Sequence, residues 1–150
     1  MTKTDIEKTL FTKVHHVGVI VKDMDVAIKH YQSFGMGAFE LLELSPAEGL
    51  FRGQSLVTTP IISMASVGGT LIELLQPTDE PSLIKEFFEN KGEGLHHIAF
   101  LADDLDQETD RMVKKGFEVV FSQKFGEGGC AFFDTSKVGG MFIELFRPPS

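Results

Sequence analysis

Hydrophobic and polar positions alternate along KVHHVGVIVK, residues 13–22, with valine at 17, 19 and 21. This pattern predicts a strand half buried on a sheet. The period then changes. Asp23 stands where an N-cap belongs, and Met24, Ala27, Ile28, Tyr31 and Phe34 recur at helical spacing until Gly35 and Gly37 stop the helix. AFELLEL (38–44), IISMASV (61–67) and TLIELLQ (70–76) read as three further strands. Gly68–Gly69 between the last two is a hairpin signal. The stretch 45–60, SPAEGLFRGQSLVTTP, has the least regular pattern and reads as a segment that covers something.

The same order of elements then returns. A strand is predicted at 95–102, and Asp104 caps a helix carrying Leu105, Met112 and Val113 that closes at Gly116. Strands follow near 117–122, 129–134 and 140–146, the last two around Gly139–Gly140. Between the halves, DEPSLIKEFFENKGEG predicts a linker helix over 79–91 with Pro81 in its first turn. The halves also echo each other letter by letter. VHHVGVIVKDMD (14–25) matches LHHIAFLADDLD (95–106), and VGGTLIELLQP (67–77) matches VGGMFIELFRP (138–148). The period of about 70 to 80 residues is too long for a solenoid and fits two fused modules. The expectation is a single α+β domain over 1–150, built from tandem βαβββ modules at about 13–77 and 94–148.

Composition narrows the function classes. At 150 residues the chain has the size of one domain. A net charge of −8 argues against nucleic acid as a partner. No stretch is apolar for long enough to span a bilayer, so no membrane partner is expected. The opening MTKTDIEKTLFTK mixes both charge signs and lacks an apolar h-region, so the expectation is a cytoplasmic protein without a signal peptide. The single cysteine, Cys130, excludes an intrachain disulfide and reads as a small buried strand residue.

Strand alternation puts His16, Gly18 and Ile20 on one face of the first strand and His97, Ala99 and Leu101 on one face of its echo. His15 and His96 fall on the opposite, helix-packing faces and read either as structural residues or as supports behind the ligands. In the closing strands, Glu73 shares a face with Leu71 and Leu75, and Glu144 shares one with Phe142 and Phe146. An ionised carboxylate moved from water into such a setting costs several kcal/mol unless it is paired. A divalent cation supplies the pairing, and neutral imidazoles are its natural companions. Taken singly, a strand histidine is more often a satisfied structural residue than a ligand. Matching His doublets, each followed by a matching IEL, point instead to one shared site of His16, Glu73, His97 and Glu144. Such an N2O2 set suits Zn, Co, Ni, Mn or Fe.

At these residues the chain resembles the vicinal oxygen chelate superfamily, which holds glyoxalase I, methylmalonyl-CoA epimerase, extradiol dioxygenases and the fosfomycin and bleomycin resistance proteins. HHVGVIVKD, IELLQP, GEGLHHIAFLADD and GGMFIELF are most similar to methylmalonyl-CoA epimerase, with glyoxalase I close behind. The resemblance covers nearly the whole chain. It implies paired modules forming a curved mixed sheet around a central metal cleft, with the family's ligand positions on His16, Glu73, His97 and Glu144. It further implies a small-molecule substrate, a CoA thioester or a glutathione adduct, and a homodimer. Catalysis would be proton abstraction next to a carbonyl, with Glu144 and Glu73 as the candidate bases.

Two departures bear on the substrate. The glutamate that epimerases use as a base aligns with Arg52, with Glu48 nearby, and an arginine would bind an anionic group instead. Where many epimerases carry His-Pro-Lys, this chain has DTSK, ending in Lys137. Phe142 and Phe146 are candidate substrate neighbours. Alternatives are a glyoxalase I-like lactoylglutathione lyase, an Fe(II) ring-cleaving dioxygenase, which the fourth ligand-like residue Glu73 disfavours, and a non-catalytic binding protein.

Overall fold

The computed structural model describes residues 11–149. Residues 1–10, on which the expectation of no signal peptide largely rests, lie outside the described residues. The first half contains β1 (Val14–Ile20), α1 (Met24–Ser33), β2 (Glu40–Leu41), β3 (Ala47–Phe51), β4 (Gln54–Thr58), β5 (Ile61–Val67) and β6 (Thr70–Gln76). Helix α2 (Leu83–Lys91) leads to β7 (Gly94–Leu101), α3 (Leu105–Lys114), β8 (Val119–Phe125), β9 (Gly128–Phe133) and β10 (Phe142–Arg147). Each helix begins on a side-chain cap, which satisfies an otherwise orphaned amide. Asp23, Ser82 and Asp104 accept from the amides of Val26, Lys85 and Gln107 at 3.1, 3.0 and 3.0 Å. Ser82 is therefore the α2 cap, and Pro81 precedes the helix instead of standing in its first turn.

The strands form one mixed sheet in the order β2-β5-β6-β1-β7-β10-β9-β8-β3-β4. Its centre is the antiparallel pair β1–β7, with β6 parallel to β1 on one side and β10 parallel to β7 on the other. The outer strands β3 and β4 correct the sequence reading of 45–60. That stretch forms a hairpin, and β3 leaves its own half to pair with β8, Phe51 opposite Phe121. Only Thr59 and Pro60 then connect β4, at one end of the strand order, to β5, near the other end. So short a link forces the sheet to curl into a half-barrel. The strand expected at 38–44 shrinks to Glu40–Leu41, continued by one bond from the Leu42 amide to the Ile62 carbonyl.

Alternation divides side chains between the two faces of the curl. On the outer face, α1 packs Met24 and Ala27 against Ala65 and Leu74, and α3 packs Met112 against Ala131 and Leu145. On the inner face, α2 inserts Leu83 and Phe87 among Ile20, Leu75, Val120 and Phe142. Burying each such side chain contributes about 1.5–3 kcal/mol. The cluster closes the interior at the level where β1 and β6 end. Glu73 and Glu144, flanked by outward Leu74 and Leu145, therefore point into the interior. Among the described residues, no helix is long and apolar enough to cross a membrane.

Candidate metal centre

The central strands cross in two rows. In one, Leu71, His16, Ala99 and Glu144 stand side by side; in the next, Glu73, Gly18, His97 and Phe142 do. Each histidine thus has a glutamate two strands away, with only Ala99 or Gly18 between them. The small residues let the side chains meet over the backbone. His16 Nε2 lies 3.0 Å from Glu144 Oε1 and 3.8 Å from Glu73 Oε1. His97 Nε2 lies 3.1 Å from Glu144 Oε1 and 3.3 Å from Glu73 Oε1. All four residues are buried. Donor atoms of His16, His97 and Glu144 fall within 4.8 Å of one another, and Glu73 adjoins this tighter group.

The β1–β7 pairing slips twice. Val14 pairs with Phe100 but His16 with Ala99, and Gly18 pairs with His97 but Val19 with Leu95. Each slip is a bulge that leaves one extra residue, His15 on β1 and His96 on β7. A bulge re-aims side chains, and the expectation that these histidines face the helices is overturned for that reason. Both turn inward beside their neighbours. Nδ1 of His15 is 2.8 Å from Nδ1 of His16, and Nδ1 of His96 is 2.8 Å from Nδ1 of His97. The His96 ring is enclosed by Phe87, Phe142 and Phe132 at centroid distances of 4.9, 5.0 and 6.1 Å. Burial pushes His96 well below the ordinary imidazole value, and burial with the neighbouring His16 lowers His15.

Burial also acts to lower His97, but the carboxylates of Glu144 and Glu73 outweigh it and hold the imidazole at about 9. Burial would raise Glu144; His16 and His97 reverse this and hold it at about 2. Despite the short distances, His97 Nε2 makes no aligned hydrogen bond. The carboxylates are near that nitrogen yet off its axis, as donors around a common central point would be. Donors bound about 2.1 Å from one ion lie about 3.0–3.4 Å apart at right or tetrahedral angles. Most of the spacings here match, and two imidazoles with two carboxylates fit a divalent cation.

The shifted groups fix how the metal-free protein responds to pH. The Glu144 contribution is present above its unfolded value of 4.5 and is lost as pH falls toward 2. The His97 contribution is present below 6.5 and is lost as pH rises through 9. The lowered His96 and His15 are favoured neutral, so their contribution is present above 6.5 and is lost as pH falls below it. Chelator-treated protein is expected to show its highest urea midpoint near pH 6.5 and to weaken on both sides. A midpoint that stays level from pH 6.5 to 9.5 would contradict the buried charge on His97.

The remaining candidates are dispersed. Arg52 occupies the tip of the β3–β4 hairpin, and its guanidinium is bidentate to Glu86 on α2, at 2.6 and 3.2 Å. It is committed to a carboxylate of its own chain. Glu48 pairs across from Val57 and bonds Ser55 Oγ, on the outer face of the hairpin away from the cluster. Lys137 is exposed in the β9–β10 connection. Phe142 belongs to the inner core and stacks near His96, so it does not line an open cleft. Phe146 does flank the cluster, its ring 5.4 Å from that of His16. Phe132, which the sequence reading missed, stands 4.9 Å from His97. Its alternation with Cys130 on β9 was the available signal.

Residues 15–133 match the model of the glyoxalase/bleomycin resistance protein/dioxygenase superfamily. The chain is 29% identical to an ethylmalonyl-CoA/methylmalonyl-CoA epimerase of Cereibacter sphaeroides, over 89% of this chain and 96% of that one. The crystal structure of a methylmalonyl-CoA epimerase from Mycobacterium tuberculosis superposes with a TM-score of 0.69 at 28% identity, covering 95% of this chain and 92% of the other. A Streptomyces coelicolor methylmalonyl-CoA epimerase variant in complex with 2-nitronate-propionyl-CoA also has a TM-score of 0.69, at 25% identity, with 91% and 94% covered.

Proposed function

The chain belongs to the glyoxalase/bleomycin resistance protein/dioxygenase superfamily, and within it we propose a metal-dependent isomerase that moves a proton on the carbon next to a carbonyl. The substrate class we propose is an acyl-CoA thioester of the methylmalonyl type. The reading is carried by one observation: two imidazoles and two carboxylates from both halves of the sheet converge inside the curl. The epimerase relatives and the CoA-analogue complex of the Streptomyces protein support the reaction and the substrate class.

His16, His97, Glu144 and Glu73 would hold one divalent ion, Zn, Co, Ni, Mn or Fe. When bound, the ion supplies Lewis acidity toward a substrate carbonyl oxygen and so favours ionisation of the neighbouring C–H bond. The proton itself needs a carboxylate. Glu144 touches both imidazoles, whereas Glu73 is 3.8 Å from His16 and is the freer of the two. The carboxylates come from β6 and β10, on opposite sides of the central pair. A carbon held between them presents a different face to each, so one can remove a proton and the other return one. Phe132 and Phe146 exclude water beside the imidazoles.

A second reading, a glyoxalase I-like lyase acting on a glutathione adduct, is favoured by one observation. Arg52 and Glu48 both turn away, which leaves proton transfer to the cluster's own carboxylates. Proton NMR of methylmalonyl-CoA in D2O with metal-loaded protein is expected to show loss of the C2–H signal. Absent exchange would sink the epimerase reading. Conversion of the methylglyoxal–glutathione hemithioacetal would establish the lyase instead, and binding without either reaction would establish a binding protein.

A further inference from the structure

The bulges place an imidazole behind each imidazole of the cluster, in both halves of the sheet. We infer that His96 is a positioning residue for His97, and His15 for His16: each accepts a hydrogen bond at its Nδ1 from the Nδ1–H of its neighbour. In the metal-free protein the carboxylates hold protons at Nε2; once an ion takes the place of those protons, Nε2 of His97 and of His16 each present a lone pair to it. The inference rests on the metal-site reading above.

Two nitrogens 2.8 Å apart share one proton between them. The direction of the bond follows from the other end of each ring. A histidine that offers Nε2 to a cation carries its proton at Nδ1, so the partner nitrogen must be the acceptor. Ligand histidines generally give this second N–H to a carboxylate, a carbonyl or water. Here a bulge supplies an imidazole in that place, twice.

The surroundings of His96 agree with the assignment. With Nδ1 as acceptor, its proton sits on Nε2, and that atom is buried with no hydrogen-bond partner. It lies among Phe87, Phe132 and Phe142, and the Phe87 ring is nearly perpendicular to it. An N–H directed at aromatic rings is tolerated, whereas a bare lone pair would be repelled by their electron-rich faces. The fully enclosed His96 ring cannot turn away. His15 is only half buried, its ring packed beside Phe146 at 4.6 Å, and holds His16 less firmly.

Zn2+ affinity measured against a competing chelator tests this. His96→Phe keeps the ring and removes the acceptor, and should weaken Zn2+ binding about 10- to 100-fold. His96→Asn restores an acceptor near Nδ1 and should recover most of the loss. His15→Phe should cost less than His96→Phe. Long-range 1H–15N spectra of the Zn2+-loaded wild type need no variant. They should show His96 protonated on Nε2 alone and His97 on Nδ1. Unchanged affinity in a folded His96→Phe protein, or a proton on Nδ1 of His96, overturns the positioning role alone. A wild type that takes up no Zn2+ overturns the metal reading and this inference together.

Discussion

Glu144→Gln is expected to yield a folded protein that binds divalent metal about 100-fold more weakly or worse and has lost nearly all exchange activity, a decrease of about 10²–10⁴. Glu144 Oε1 lies within 3.1 Å of Nε2 of both imidazoles. Glutamine keeps the shape but removes the charge, and its amide can turn an N–H toward nitrogens that must accept a cation. The cost to folding is smaller than the loss of function. Breaking a buried ion pair costs about 3–5 kcal/mol when the other charge stays behind. Here His97 can shed its proton once Glu144 no longer holds it at about 9. The decline in stability of the metal-free protein above pH 6.5 should therefore become shallower in this variant. Metal content, urea midpoints across pH and C2–H exchange check the three effects separately. A Glu144→Gln protein with full metal and full exchange would remove Glu144 from the site.

Most of this centre was legible because the chain states it twice. The paired HH and IEL motifs name four side chains, and strand alternation places them on one face of the sheet. What alternation cannot show is a register slip, since a bulge adds one residue without changing the local pattern. Alternation puts His15 and His96 on the wrong face for that reason. The β3–β4 hairpin escaped notice for a different one. Its two-residue turn needs positive φ at both central positions, a requirement usually met by Asn-Gly. Here Arg52 and Gly53 adopt it, at 49° and 81°, and Arg-Gly carries no turn signal. The family resemblance implied the curved sheet, but with the hairpin unseen neither the pairing of β3 with β8 nor that of Arg52 with Glu86 could be anticipated from local pattern. Arg52 is held by a contact between segments distant in sequence, and local pattern carries no information about such contacts.

Gly18→Ala is the second large effect, and it separates the site from the fold. Gly18 has no unusual backbone conformation among the chain's positive-φ residues, so alanine suits the strand and lowers unfolded-state entropy. Its Cβ, however, would overlap the His97 ring, about 2.5 Å from both ring nitrogens. That ring has no room to slide. His96 ties one nitrogen at 2.8 Å, and Phe132 stands against it at 4.9 Å. It must rotate out of the cluster, removing one ligand. The overpacking cost of about 1–3 kcal/mol and the lost pairing of His97 with the two carboxylates are only partly offset by the backbone gain, so the metal-free variant should melt several degrees below wild type and still unfold cooperatively. The metal-dependent part of the stability should vanish, because a ligand at about 100 times its Kd adds about 2.7 kcal/mol and one at its Kd adds almost nothing. Thermal melts with added Zn2+ and with chelator give the contrast directly. Ala99→Gly is the matched control, since Ala99 fills the echoing place between His16 and Glu144 and already carries a Cβ there. It should keep its metal-induced rise in Tm. If Gly18→Ala keeps that rise as well, His97 does not reach the ion across Gly18, and the two-row arrangement of the centre is wrong.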